Sequence, residues 1–278
     1  IPWGSVTSDS SSGNGLDADL TFALRLADTA DTITMRGFRS ADLVVRTKPD
    51  LTPVTEIDQA VERQLREIVE TKHPDDSILG EEFGAERSDV SGASHTAATR
   101  RWIIDPIDGT KNFVRGVPVW ATLIALAFED DIMLGVVSAP ALGRRWWAAT
   151  GHGAFSQGPE DAQPRRLTVS GVRDLVDASV SFSDPTGWPA GSLDRLHEAT
   201  WRMRAYGDFW SHLLVAEGAV DIAGEPELNL WDIAALVPIV TEAGGRITSY
   251  TGGVPLDSAL TTNGHLHDDA LGMLSATD

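Results

Sequence analysis

Trp102-Ile103-Ile104-Asp105-Pro106-Ile107-Asp108-Gly109-Thr110-Lys111-Asn112-Phe113 is the segment on which the reading of this chain turns. Its first residues form a short apolar run, as in a buried strand, and Pro106 and Gly109 stop that strand in a turn. Such a turn can bring the carboxylates of Asp105 and Asp108 to one side with the carbonyl of Ile107 between them. These are hard oxygen ligands of the kind Mg²⁺ prefers. The consecutive N–H groups of Gly109 and Thr110 then offer an anion-binding concavity beside them. Taken singly, Asp-Pro and Asp-Gly are only turn dipeptides; the combination points to chemistry.

Upstream, a short strand at 77–80 ends in Glu81-Glu82. An acid pair in a loop is usually solvated, and this one gains weight only beside the aspartates. Further back, Thr55-Glu56-Ile57-Asp58 has the spacing of a capping box, with Asp58 at the third helical position. It opens an amphipathic helix whose apolar stripe is Ile57, Val61, Leu65 and Ile68, and an earlier stripe runs through Leu20, Ala23, Leu24, Ala27 and Ala30. Strands are expected at 102–105, 120–128, 132–139 and 145–149, and the polar stretch 84–100 as a mobile loop.

Past about Ser170 strands and helices alternate: strands at 178–183, 203–206, 220–223 and 246–249, helices at 193–201, 208–217, 231–243 and 267–274. In the third of these helices Asp232 sits in the first turn, where the helix dipole favours an acid. Brought beside Asp105 and Asp108 it would instead be a shared metal ligand. An α+β half over 16–170, carrying most of the metal ligands, and a layered α/β half over 171–278 are expected to pack together. Residues 1–15, rich in Gly and Ser, read as a disordered processed terminus or an artificial extension.

Composition narrows the partners. The formal net charge is −19, with 41 acidic and 22 basic residues, which disfavours nucleic acid and anionic membrane surfaces and favours cations. There is no cysteine, so thiolate metal sites and disulfides are excluded. The longest apolar run, 120–128, is far short of the ~20 residues of a spanning helix. No secretory signal is legible, and a cytoplasmic location is expected. The histidines are scattered; His265 and His267 form an H-x-H that reads as surface.

KPDLTPVTEID (48–58), GEE (80–82), WIIDPIDGTKNF (102–113) and WDIAALVPIVTEAGG (231–245), in this order, resemble the inositol monophosphatase family over nearly the whole chain. The resemblance implies a layered α-β-α-β-α sandwich of the inositol monophosphatase and fructose-1,6-bisphosphatase type, usually a homodimer, acting on a small-molecule phosphate monoester. It implies two or three Mg²⁺ ions. Glu81, Asp105, the Ile107 carbonyl and Asp232 would hold the first, Asp105, Asp108 and Asp232 the second, and Glu81 would help hold a third. The implied nucleophile is a metal-activated water oriented by Glu81 and by Thr110, whose hydroxyl would pair with Asp58. It would attack in line without a phosphoenzyme, while Gly109 and Thr110 hold the phosphate oxygens.

Within the family, GTKNFVRGVPVWATLIAL (109–126), SAPALGRRWWA (138–148) and RAYGDF (204–209) are most similar to actinobacterial histidinol-phosphate phosphatases. Glu225 matches the position that contacts the alcohol moiety, Asp208 falls in the other region facing it, and Arg204 is a further candidate. Two acids suit the ammonium and imidazole of histidinol better than a neutral polyol. Asp208 reads equally well as a helix N-cap. The alternative is inositol-1-phosphate or a range of sugar phosphates.

Overall fold

The computed structural model describes residues 14–48, 53–86 and 100–275. The expected terminal extension, part of the 48–58 motif and most of the expected 84–100 loop lie outside the described residues. The chain runs α1 (Asn14–Gly37), β1 (Val45–Thr47), β2 (Pro53–Thr55), α2 (Glu56–Lys72), β3 (Ser77–Gly80), β4 (Gly84–Glu86), β5 (Arg100–Asp108) and α3 (Thr110–Arg115). It continues through β6 (Ala121–Phe128), β7 (Asp131–Ala139), β8 (Arg144–Ala149), β9 (Gly153–Gln157), β10 (Arg165–Arg166), β11 (Ser179–Phe182), α4 (Ser192–Ala199) and β12 (Arg202–Arg204). Last come α5 (Asp208–Ala216), β13 (Ile222–Glu225), α6 (Leu230–Ile233), α7 (Leu236–Glu242), β14 (Arg246–Thr248), β15 (Ala259–Thr262) and α8 (His267–Ser275).

Strand alternation builds the layers. Along β5, Trp102 and Ile104 point to one face and Ile103 to the other, all nearly inaccessible. The first face packs against Leu20, Leu26, Val61 and Leu65 of α1 and α2. The second packs against Phe209 and Leu213 of α5 and Leu236, Ile239 and Val240 of α7. Each leucine or isoleucine so buried stabilises the fold by roughly 1.5–3 kcal/mol. The sheet is ordered β10-β9-β8-β7-β6-β5-β3-β4 and is antiparallel except where β3 runs parallel to β5. The other sheet, β12-β11-β13-β15-β14, packs Val180, Ile222 and Leu260 against Leu196 of α4 and Ala270 and Leu274 of α8. The sequence of layers is α-β-α-β-α, as the resemblance implied.

Several elements differ from the sequence reading. The helix expected over 231–243 is two, α6 and α7, because Pro238 has no N–H to give Ala234 and fits only in the first turn of a new helix. β9 and β15 pair as full members of their sheets although their short, small-residue sequences gave no signal. Gly84–Glu86 is a strand paired with β3. His267 is buried, its two ring nitrogens bonded to the hydroxyls of Thr248 at 2.9 Å and Thr262 at 3.0 Å. Paired hydroxyls satisfy the ring away from water, so the surface reading fails for His267, while His265 is exposed as expected.

Candidate active site

Parallel pairing of β3 with β5 sets their ends side by side, Gly80 opposite Ile104. The ladder carries one step further, the Glu81 N–H donating to the Ile104 carbonyl at 3.2 Å, so Glu81 follows β3 just where Asp105 follows Ile104. Between Asp105 and Asp108 the register with β6 shifts, and the Thr122 hydroxyl anchors the irregularity by donating to the Pro106 carbonyl at 2.7 Å. That bulge turns Asp105 and Asp108 to a common side. Asp232, in the first turn of α6, completes the group: Asp105, Asp108 and Asp232 each present a carboxylate oxygen within 4.8 Å of the others.

Gly109 follows at φ +82°, a left-handed conformation, and α3 starts at Thr110. The Thr110 hydroxyl donates to the Ile107 carbonyl at 2.9 Å and lies 3.4 Å from Asp58 Oδ1. Asp58 is also the capping-box acid of α2, its Oδ2 accepting the Thr55 N–H at 2.8 Å and the Thr55 hydroxyl at 2.5 Å. Asp58 thus makes the capping contacts through one carboxylate oxygen and faces Thr110 with the other.

So many acids in a buried place resist ionisation together. Burial first, then the charges of Glu81, Asp108 and Asp232, push Asp105 well above the usual carboxylate range. Asp108 is raised by burial and by Asp208 and Asp232, although the Phe209 N–H at the start of α5 donates to its Oδ2 at 2.8 Å. Burial lifts Asp58 to about 6, Asp232 to about 6 and Glu82 to about 7. Asp105 Oδ1 is buried without a hydrogen-bond partner. A buried, unpartnered carboxylate oxygen amid acids and with no thiolate in the chain is suited to a hard divalent cation; the donor set fits Mg²⁺.

A cavity of ≈ 810 Å³ opens over the aspartates. Asp208 and Glu225 line it beside Glu81, Asp108, Gly109, Thr110 and Asp232. Asp208 is the first residue of α5, not its N-cap; its Oδ2 accepts from Asn112 Nδ2 at 3.2 Å, and burial raises its pKa. Glu225 ends β13, accepts from the Ser183 hydroxyl, and is raised by burial to about 7. Arg204 is not brought in. It ends the edge strand β12, is exposed, and donates to the Met203 carbonyl at 2.7 Å. Sequence reasoning passed over Lys48, whose Nζ lies 2.7 Å from Glu81 Oε1 and 2.6 Å from Glu82 Oε1. It also passed over Asn112, although that residue lies inside the deciding segment.

Layers, bulge and carboxylate cluster together define a metal-dependent hydrolase of phosphate monoesters. The profile of the inositol monophosphatase family matches residues 16–274, and the chain belongs to that family. A histidinol-phosphatase of Mycobacterium tuberculosis is 54% identical over 93% of this chain and 98% of its own length. One of Streptomyces coelicolor is 52% identical over 92% and 97%. Among solved structures, the Thermotoga maritima IMPase superposes with a TM-score of 0.80 at 31% identity, covering 92% of this chain and 96% of that one. Among the described residues no helix is long and apolar enough to cross a membrane.

Proposed function

We propose that this chain hydrolyses L-histidinol phosphate to L-histidinol and phosphate, the reaction named for the two relatives above. The observation that carries the reading is a carboxylate cluster with an unpartnered oxygen, Asp105 Oδ1, beside a cavity whose lining includes Asp108, Asp232, Glu225 and Asp208. Glu81, Asp105, the Ile107 carbonyl, Asp108 and Asp232 would hold two or three Mg²⁺ ions. Bound there, the metal supplies Lewis acidity and a water acidic enough to act near neutral pH.

The chain's own groups do the rest. Thr110, tied to Asp58, and Glu81 orient the attacking water, and the Glu81 carboxylate accepts its proton. Gly109 and Thr110 direct N–H groups to the phosphate oxygens from the first turn of α3, where helical N–H groups lack partners. Glu225 and Asp208 take the cationic head group by charge-assisted hydrogen bonds. Arg204 has no part in this account. Attack is in line on phosphorus: the bond to the water oxygen forms as the bond to the ester oxygen breaks, and the departing oxygen takes a proton from solvent water to leave as the alcohol. In this reading residues 16–170 carry most of the metal ligands, and 171–278 carry Asp232 and the head-group acids. A homodimer is proposed from the family resemblance alone, and sedimentation of the purified chain tests it.

Phosphate release from L-histidinol phosphate and from inositol-1-phosphate, run in parallel with Mg²⁺ and with chelator, tests the assignment. We expect a preference of about a hundredfold or more in kcat/KM for the first, about 2.7 kcal/mol of transition-state binding. Equal or reversed values would leave the metal chemistry standing and remove the head-group assignment.

A further inference from the structure

One turn beyond Asp58 on the same side of α2 stands another carboxylate, Glu62, which none of the roles above uses. It is 0% exposed. Its Oε2 accepts the Glu82 N–H at 2.7 Å, and its Oε1 accepts the Phe83 N–H at 3.3 Å and Arg66 Nε at 2.8 Å. Arg66, a turn further on, donates through Nη2 to the Gly84 carbonyl at 2.5 Å. A carboxylate and a guanidinium of α2 therefore grip the turn after β3, the turn that carries Glu81, at its N–H groups and at a carbonyl. The approach is close: a Cβ on Gly80 would stand 1.9 Å from Glu62 Oε1.

A buried ion pair is seldom more stabilising than apolar side chains of the same volume. Burying one here, near the charges of Glu81 and Glu82, does little for stability that a leucine could not do. What the pair adds is direction, because two main-chain N–H groups donate to the carboxylate and the guanidinium donates to the Gly84 carbonyl, which fixes the main chain of 82–84. We propose that Glu62 is a positioning residue of the metal site. By holding the Glu82 and Phe83 amides it sets the direction in which the Glu81 carboxylate leaves the strand, toward Asp105. One helix then serves both sides of the site, Thr110 through Asp58 and Glu81 through Glu62. The inference rests on Glu81 being a metal ligand.

The test is calorimetric titration of the metal-stripped full chain with Mg²⁺ alone, alongside thermal melts. Glu62→Gln keeps the volume but removes the charge and sets an amide N–H₂ against at least one of the three donors. It should lower Mg²⁺ affinity by about 10–100-fold, the usual effect of losing a group that orients a ligand. In a Glu81→Gln background the same substitution should change Mg²⁺ affinity no further, since the two act in series. A lowered melting temperature with an unchanged Mg²⁺ isotherm would overturn the proposal, and so would an equal loss in the Glu81→Gln background. Should Glu62→Gln not fold, Arg66→Lys keeps the charge but cannot bridge Glu62 and Gly84. It should give a smaller affinity loss, again absent beside Glu81→Gln, and no loss would overturn the proposal. If Glu81→Gln itself binds Mg²⁺ like the parent, it is the metal assignment of Glu81 that has failed.

Discussion

Asp105 concentrates the tension of the site: about 1% exposed, pressed by three other acids, and with one oxygen bonded to nothing. Asp105→Asn keeps its shape and removes its charge. Since losing a mere supporter of a ligand already costs about 10–100-fold, we expect kcat/KM to fall by more than about a hundredfold, read as phosphate release across a Mg²⁺ titration. Glu225 offers a second reading. Its proton is held to about pH 7, so its carboxylate, the form that binds a cation, appears above that pH. KM for L-histidinol phosphate should therefore fall as pH rises through about 7, and Glu225→Gln should abolish the step; a flat parent profile would remove Glu225 from the head group. Glu81, Asp105, Asp108 and Asp232 were visible in the sequence because they stand at strand ends, turns and helix starts; Asp208 and Glu225 came from the family resemblance, and Asp184 and Glu227, which also line the cavity, were not singled out. Glu62 was not, because an acid one turn past another on an amphipathic helix reads as its solvated face. Arg204 entered with the RAYGDF resemblance, and its sequence carries no sign that β12 would be an edge.

At the scale of elements, the break between α6 and α7 deserves a test of its own. Gly135 in the middle of β7 lets the sheet approach that break so closely that an added Cβ would fall 2.0 Å from the Ala235 carbonyl. Gly135→Ala should destabilise the protein by about 1–3 kcal/mol, as overpacking does. Because Asp232 lies just ahead of the break, it should also blunt the rise in melting temperature given by Mg²⁺; melts with and without the cation show both effects. Periodicity made the amphipathic helices and the longer strands legible. It failed for β15, whose four residues are all buried and so show no alternation. It also joined α6 to α7, since apolar positions alone do not say where a proline must sit.

For the whole molecule, the raised acids make stability depend on pH and metal together. Unfolded carboxylates release their protons near pH 4, whereas Asp58 and Asp232 keep theirs to about 6 and Glu82 and Glu225 to about 7. The folded state thus binds more protons across that interval, and stability should decline as pH climbs from about 4 to about 7. Mg²⁺ supplies the missing positive charge, so its stabilising effect should be larger at pH 8 than at pH 5; equal gains in melting temperature would contradict this. A different acid-base contact joins the outer helix to the sheet. Arg145, 0% exposed in β8, donates to Asp31 at 2.6 Å and Asp28 at 2.8 Å of α1. Arg145→Ala should destabilise by about 3–5 kcal/mol, since it strands Asp31, and denaturant titration measures it.

The carboxylate cluster draws Asp105 and Asp108 from one sheet and Asp232 from a helix far along the chain. During synthesis the first two leave the ribosome long before the third exists. A nascent chain can thus complete its larger sheet's strands while still catalytically blind, and its capacity for chemistry is switched on by a single late arrival. On the proposed roles a chain truncated ahead of Asp232 would have no turnover, and it would also lack α7, which covers one face of the larger sheet, and β14 and β15 of the smaller one.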